Sequence, residues 1–339
     1  MADRALWLTE RRDDWLTRVR RWAQEELASS GERLMSIEPV KERPWGAVLR
    51  VRSSSRVLYL KAVGPRGRHE LRLLADVDSL GAGLGPELVA VDHDRGWMLL
   101  ADHGAPAVDV MDPADEVVVT EELLPRYAAL QRGSARLVPD WIEAGVPDRS
   151  PGRLPHLVGE LLDGRGAMGP LPLDPTDAAA YRGILPDLER ACDVLARSAT
   201  PTAIDHADIH GTNVLVGAGG SRLIDWGDAC ISHPFTSLLV PIEWVAAKLP
   251  VDEQADAVHR LRDAYLGPWG DAGDTTVAGI AVWVGYASRA LSNDEQCAGG
   301  APEHVRDGQR EIAALLRAWH VKRADLDRPE RLLDPVLEL

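Results

Sequence analysis

Residues 203–229 read AIDHADIHGTNVLVGAGGSRLIDWGDA, and they constrain the fold more than any other stretch of the chain. Two short apolar runs, 213–216 and 222–224, flank Gly217-Ala218-Gly219-Gly220, the pattern of a β-hairpin. The polar residues gather at its base: His206, Asp208, His210, Asn213, Asp225 and Asp228 fall within 23 residues. Adjacent hairpin strands bring their ends together. Asp208 and Asn213, ahead of the first strand, should therefore converge with Asp225, which follows the second.

The hairpin is expected to sit inside a helical half. Segments 112–132, 176–198, 236–247, 252–266, 275–291 and 304–321 have mainly helical spacing, with a shorter helix at 154–162 in a Pro- and Gly-rich region. Pro125 and Pro186 are expected to bound or kink two of them. Ahead of Asp102 the pattern differs. Runs 35–40, 47–52 and 56–63 carry β-branched and aliphatic residues, punctuated by Pro44-Trp45-Gly46 and Ser53-Ser54-Ser55, and predict an antiparallel meander. A helix at 69–80 and strands at 88–92 and 97–100 follow, and an amphipathic helix over 7–27 precedes them. The reading is an α+β chain in three parts: an N-terminal helix (1–34), a β-sheet lobe with one packed helix (35–101) and a larger, mainly helical lobe (102–339).

With 339 residues, 45% of them hydrophobic, the chain can bury the core of two such lobes. The cysteines number three, none at a metal-ligand spacing, which fits a reducing compartment. The N-terminus is charged from its third residue and lacks a secretory core, and the most apolar stretch, 277–287, is too short to span a bilayer. A cytoplasmic protein with no membrane partner is expected. The net charge of -15 is uneven: residues 1–100 carry 17 Lys+Arg against 15 Asp+Glu, and the remainder 21 against 38. An acidic C-terminal part repels nucleic acid. It reads either as a solvated surface or as an attractor for a cationic small-molecule acceptor.

The cluster at the hairpin base suits phosphoryl transfer. Two oxygen ligands hold Mg²⁺ on a triphosphate, and a further carboxylate orients the acceptor hydroxyl. Asn213 and Asp225 are assigned to the metal and Asp208 to the acceptor. Asp, Asn and Gly are ordinary turn and cap residues, but their joint spacing, H-x-D-x-x-x-x-N followed by hairpin strands and I-D, is not. His206 and His210 are expected to brace the loop, and Asp228 to cap the next element or support the site.

HADIHGTNVLV followed by LIDWGDA resembles the aminoglycoside phosphotransferase family, a branch of the protein-kinase-like fold. Ala207 stands where that family has Gly, read as a conservative departure, and Asp225-Trp226-Gly227 where protein kinases have D-F-G. The resemblance implies a two-lobed kinase-like fold, ATP or GTP as phosphoryl donor, and Mg²⁺. It makes Lys61, in VLYLKAV, similar to the lysine that contacts the α- and β-phosphates, and Glu70 similar to its ion-pair partner. WMLLADHG resembles the hinge strand, with adenine meeting backbone around Leu100. Only Gly46 stands in the loop KERPWGAV, where protein kinases carry a glycine-rich flap. The family phosphorylates hydroxyls of antibiotics, sugars, choline and homoserine, which implies a small-molecule acceptor and admits antibiotic resistance as a role. Trp244, Trp269, Trp283, Trp319, Glu243, Asp294 and Glu295 are candidates on the acceptor side. Two alternatives stand beside this. A silent nucleotide-binding protein should have lost Lys61, Asp208 or Asp225, and a protein kinase needs a longer segment after Asp225.

Overall fold

Alternation of side chains along three strands gives the N-terminal sheet its two faces. The computed structural model describes residues 6–8, 11–80 and 83–334. Helix α1 (Arg12–Ser29) leads into β1 (Leu34–Glu42), β2 (Gly46–Ser53) and β3 (Val57–Val63), then α2 (His69–Ser79), β4 (Leu88–Asp92) and β5 (Trp97–Ala101). The five strands form one antiparallel sheet in the order β1-β2-β3-β5-β4. Ala47, Leu49 and Val51 of β2, Leu58 and Leu60 of β3 and Leu99 of β5 turn to one face. There Trp15, Val19, Trp22 and Leu27 of α1 cover them in a core of their own. Lys61 and Tyr59 point to the opposite face, beside their register partners Met98 and Leu100.

The chain leaves β5 through Asp102–Gly104 and adds β6 (Ala105–Pro106) to the predicted hairpin, giving a small sheet of order β6-β8-β9. Helices α3 (Ala107–Val110), α4 (Pro113–Ser134), α5 (Val138–Glu143), α6 (Leu154–Leu162), α7 (Pro175–Arg182) and α8 (Leu185–Ala196) precede it. The hairpin region comprises β7 (Ala203–Asp205), β8 (Val214–Gly217), β9 (Gly220–Leu223) and β10 (Cys230–Ser232), and β10 pairs with β7. Helices α9 (Val251–Leu266), α10 (Thr275–Cys297) and α11 (Pro302–Lys322) complete the larger lobe. Asp112 caps α4 by accepting from the amides of Ala114 and Asp115. Helix α10 is buried along most of its length, packed against α11, α8 and α6. The molecule is thus a two-lobed kinase-like α+β fold.

Several elements differ from expectation for local reasons. The first α-helix begins at Arg12 rather than at 7. Leu6–Leu8 forms a short 3₁₀ turn, and Thr9 and Glu10, within the predicted helix, lie outside the described residues, as do 335–339 of the helical lobe. The helix predicted at 176–198 is two helices parted at Gly183-Ile184, with Pro186 in the first turn of α8. The helix predicted at 236–247 is no α-helix. Pro234 and Pro241 each lack an amide donor, and the chain forms 3₁₀ turns around a π-helical Pro241–Val245. Pro125 stays inside α4 without ending it. Among the described residues no helix is long and apolar enough to cross a membrane, and the three cysteines are buried and unpaired.

Candidate active site

Two neighbouring elements and one remote segment meet at Lys61. From β3 its Nζ donates to Glu70 Oε1 on α2 at 2.6 Å and to Asp225 Oδ1, just beyond β9, at 2.7 Å. Glu70 is buried and also accepts from the Trp226 amide at 3.0 Å, so α2 is tied to the segment carrying Asp225. Burial acts to lower the Lys61 pKa, but the two carboxylates outweigh it and raise the ammonium above its ordinary value. Burial raises Glu70, while Lys61 beside it holds Asp225 below the usual carboxylate range. Asp225 adopts φ 65°, ψ 60°, a left-handed conformation that costs a non-glycine residue about 1–2 kcal/mol. That conformation turns its carboxylate to Lys61 while Trp226 packs inward, buried, with its indole N–H on the Leu223 carbonyl at 2.9 Å.

Asp208 lies on the loop between β7 and β8. Asn213 Nδ2 donates to its carbonyl at 3.0 Å and to its Oδ2 at 2.8 Å. His210 Nε2 stands 3.3 Å from the same Oδ2, and Arg289 Nη2, from α10, donates to Oδ1 at 2.6 Å. Burial acts to raise the Asp208 carboxyl, but Arg289 and His210 hold it below its ordinary value. It is a carboxylate at neutral pH. Oδ1 accepts from Arg289 alone, whereas Oδ2 has both Asn213 and His210 beside it, so Oδ1 keeps acceptor capacity for a further donor.

The loop is braced from below. Tyr127 Oη accepts from the His206 amide at 2.8 Å, and His206 Nε2 meets the Ile224 carbonyl at 3.0 Å, so that nitrogen carries the proton. Burial pushes the His206 pKa down to about 4, and a neutral ring in this position is structural. Buried Glu116 accepts from the Gly211 amide at 3.0 Å and pairs with Lys248 at 2.7 Å. Ala207 has φ 62°, so the Gly-to-Ala departure is not conformationally neutral. Its amide donates to Asp205 Oδ1 at 2.9 Å and its carbonyl accepts from Arg289 Nη1, which hold the strained residue at both ends. Asp228 accepts from Gln296, and burial raises its carboxyl.

Which groups suit a cation follows from what is already bonded. The Asn213 amide nitrogen is spent on Asp208, so its oxygen faces away, and Asp225 Oδ2 accepts no hydrogen bond among the described residues. These are hard oxygen donors, fitting Mg²⁺ that takes its remaining ligands from phosphate and water. Among the described residues no three His, Cys, Asp or Glu side chains gather into a metal cage, and such an ion needs none. A cavity of about 460 Å³ opens between the lobes, lined by Lys61 and Asp225 on one side, Trp45 of the β1–β2 turn above and Gly299-Gly300 beyond α10 in front. Leu100 turns toward the Lys61 face, but β3 and β4 flank it on both sides in the ladder. Backbone groups free of strand pairing begin at Asp102, within the stretch 97–104 read as strand and hinge.

On the acceptor side, Trp269, Trp283 and Trp319 are core residues, while Trp244 is 41% exposed. Asp294 is spent on the amides of Ala167 and Met168, and Glu295 on Arg149. Sequence reasoning missed Arg289 and Glu116. The signal for Arg289 was present: it is the lone charged residue between Asp274 and Asp294, in a run otherwise suited to a buried helix.

With this geometry established, comparison with known proteins is direct. A family model described as the phosphotransferase enzyme family matches residues 47–276. No curated protein sequence matches significantly. The fold is shared with a choline/ethanolamine kinase family protein from Mesorhizobium loti (TM-score 0.59, 18% identity, covering 92% of this chain and 98% of that one). It is shared with a thermostable mutant of aminoglycoside phosphotransferase APH(4)-Ia in ternary complex with AMP-PNP and hygromycin B (0.58, 15%, 87% and 98%). The choline kinase LicA from Streptococcus pneumoniae is similar as well (0.56, 12%, 89% and 99%).

Proposed function

The chain belongs to the phosphotransferase enzyme family, and from that premise we propose that it transfers the γ-phosphoryl group of ATP or GTP to a hydroxyl of a small molecule held against Asp208. As a member it is a phosphotransferase with an alcohol group as acceptor. The observation that carries the specific reading is Lys61, bridged at 2.6 and 2.7 Å to Glu70 and Asp225 from two other elements. Such a lysine, oriented and kept protonated, suits the α- and β-phosphates. Leu100 would pack against the base and the Asp102–Gly104 backbone would meet its edge. Asn213 and Asp225 would hold Mg²⁺, which when bound neutralises charge on the transferring phosphoryl group. Asp208, ionised and fixed by Asn213 and Arg289, receives the acceptor hydroxyl on its open Oδ1 lone pair and takes its proton late in transfer.

The division of labour that follows is a nucleotide lobe at 35–101, an acceptor and metal lobe at 102–339, and 1–34 as a buttress. A protein of the same fold holds hygromycin B and others are choline kinases, which supports an antibiotic, sugar or amino alcohol as acceptor and antibiotic resistance as a role. The acidic C-terminal part would draw cationic acceptors toward that lobe at long range. A protein substrate fits less well: residues 229–240, where a peptide platform would lie, are buried throughout.

The test is a nucleotide-consumption screen across antibiotics, sugars and amino alcohols, followed by Asp208→Asn with the acceptor so found. Asparagine keeps the size but neither the charge nor the basicity. The expected result is a kcat loss of about 10²–10⁴-fold with nucleotide Kd little changed. A loss below about tenfold would place proton acceptance elsewhere, and a collapse in nucleotide affinity would place Asp208 at the metal.

A further inference from the structure

Beside Asp208 a second cavity, of about 250 Å³, lies between the 240–245 turn, α10 and α11. It has the groups that ordinarily attract a cation: the indole of Trp244, the phenol ring of Tyr286 and the carboxylate of Glu243 in its lining, with the Asp208 carboxylate just behind Arg289. Each already holds a cation from the protein itself. The Arg289 guanidinium carbon stands 4.7 Å from the Trp244 ring centroid while Nη2 binds Asp208 at 2.6 Å. Lys322 Nζ stands 5.6 Å from the Tyr286 centroid and donates to Glu243 Oε1 at 2.8 Å. Arg289 and Lys322 are each only 8% exposed, so neither is a surface side chain swinging past. The remaining acid, Glu311, has no ion-pair partner among the described residues, and burial raises its carboxyl toward the neutral form.

We infer that Arg289, seconded by Lys322, is a specificity-determining residue that reserves this pocket for an uncharged hydroxyl compound. The inference rests on the proposed function, because it takes this cavity as the acceptor's side of Asp208. A cationic acceptor would have to displace Arg289 from both the Trp244 face and the Asp208 carboxylate, and would then meet the displaced guanidinium in a desolvated space. An anion would face Asp208 and Glu243 at close range. A neutral polyol or sugar-like acceptor can instead lie along Arg289, share its donors and present its hydroxyl to Oδ1. Long-range attraction of cations by the acidic lobe and exclusion of cations by the pocket are compatible, since the first acts over the surface and the second on contact.

The test compares choline with 3,3-dimethylbutan-1-ol, which has the same shape but carbon in place of the charged nitrogen. Binding of each to the full chain is measured by isothermal titration, without nucleotide, for wild type, Arg289→Met and Arg289→Gln. Glutamine keeps a polar, uncharged side chain at the position and guards against loss of fold, which a thermal melt monitors. The expected result is that removing the guanidinium tightens choline binding by about tenfold or more, the scale of a desolvated cation–π contact, and moves the neutral isostere less than about threefold. Equal gains for both ligands would make Arg289 a steric plug, and no gain for choline would mean it excludes nothing. Either result overturns the inference, as does wild type binding choline as tightly as the variants. Nucleotide affinity, measured on the same samples, reports separately on the proposed function.

Discussion

At the scale of single residues, the site depends on two left-handed positions that lack glycine's freedom, Ala207 and Asp225. Asp225 cannot be exchanged without losing the carboxylate on Lys61, but Ala207 offers no functional atom beyond its backbone. Ala207→Gly should therefore relieve strain while keeping the amide bond to Asp205 and the carbonyl bond from Arg289. An alanine at positive φ costs about 1–2 kcal/mol, and glycine returns part of that through the freer unfolded chain. The expected outcome is a stability gain of up to about 1 kcal/mol in urea unfolding, with unchanged nucleotide affinity. A loss of stability would mean that the methyl group packs more usefully than its backbone angle suggests. Arg289 shows the limit of sequence reasoning at this scale. The residues of the hairpin base were legible because their spacing is short and their chemistry joint. Arg289 reaches Asp208 across 81 positions, and only tertiary packing of α10 makes that contact.

At the scale of elements, periodicity marked α2, α9, α11 and the five-stranded sheet within a residue or two, because each buries one face against a large neighbour. It failed where burial is all-round or elements are very short. Strands β7 and β10 have three residues each, and residues 234–242 are buried throughout, which leaves no amphipathic period to read. What positions the hairpin against the hinge was equally hidden: the backbone of Gly104, at φ +110°, crosses the tip of β8 so closely that a Cβ there would stand 2.0 Å from the Val216 carbonyl oxygen. Gly104→Ala should cost more than about 3 kcal/mol in urea unfolding, through both the angle and the clash. Gly133, near the end of α4, has nothing within 4 Å of an added Cβ. Gly133→Ala should stabilise by up to about 1 kcal/mol. If both substitutions have the same sign, the close crossing does not hold the hinge.

At the scale of the whole molecule, the apolar interior falls into two separate clusters. The larger joins α2, the cleft face of the sheet and the helical lobe, and the smaller lies between α1 and the outer face of the sheet. The Trp7 indole donates to the Arg43 carbonyl at 2.7 Å, and Arg12 pairs with Glu42 at 3.0 Å, so the N-terminal segment also grips the β1–β2 turn over the cleft. Removing residues 1–31 should uncover Leu49, Val51, Leu58 and Leu60 together, a patch that favours aggregation. The expected outcome is a lower Tm and loss of the monodisperse species in light scattering. A truncated chain that melts like wild type would make α1 an accessory. The distribution of tryptophan has an optical consequence. Of eleven indoles, nine are buried, and the two that meet solvent stand at two different mouths: Trp45 over the interlobe cavity and Trp244 beside Asp208. Emission accessible to iodide therefore comes from these two alone, so with Trp45→Phe or Trp244→Phe the protein's own fluorescence reports on the interlobe cavity and on the surroundings of Asp208 as separate channels, without an attached dye.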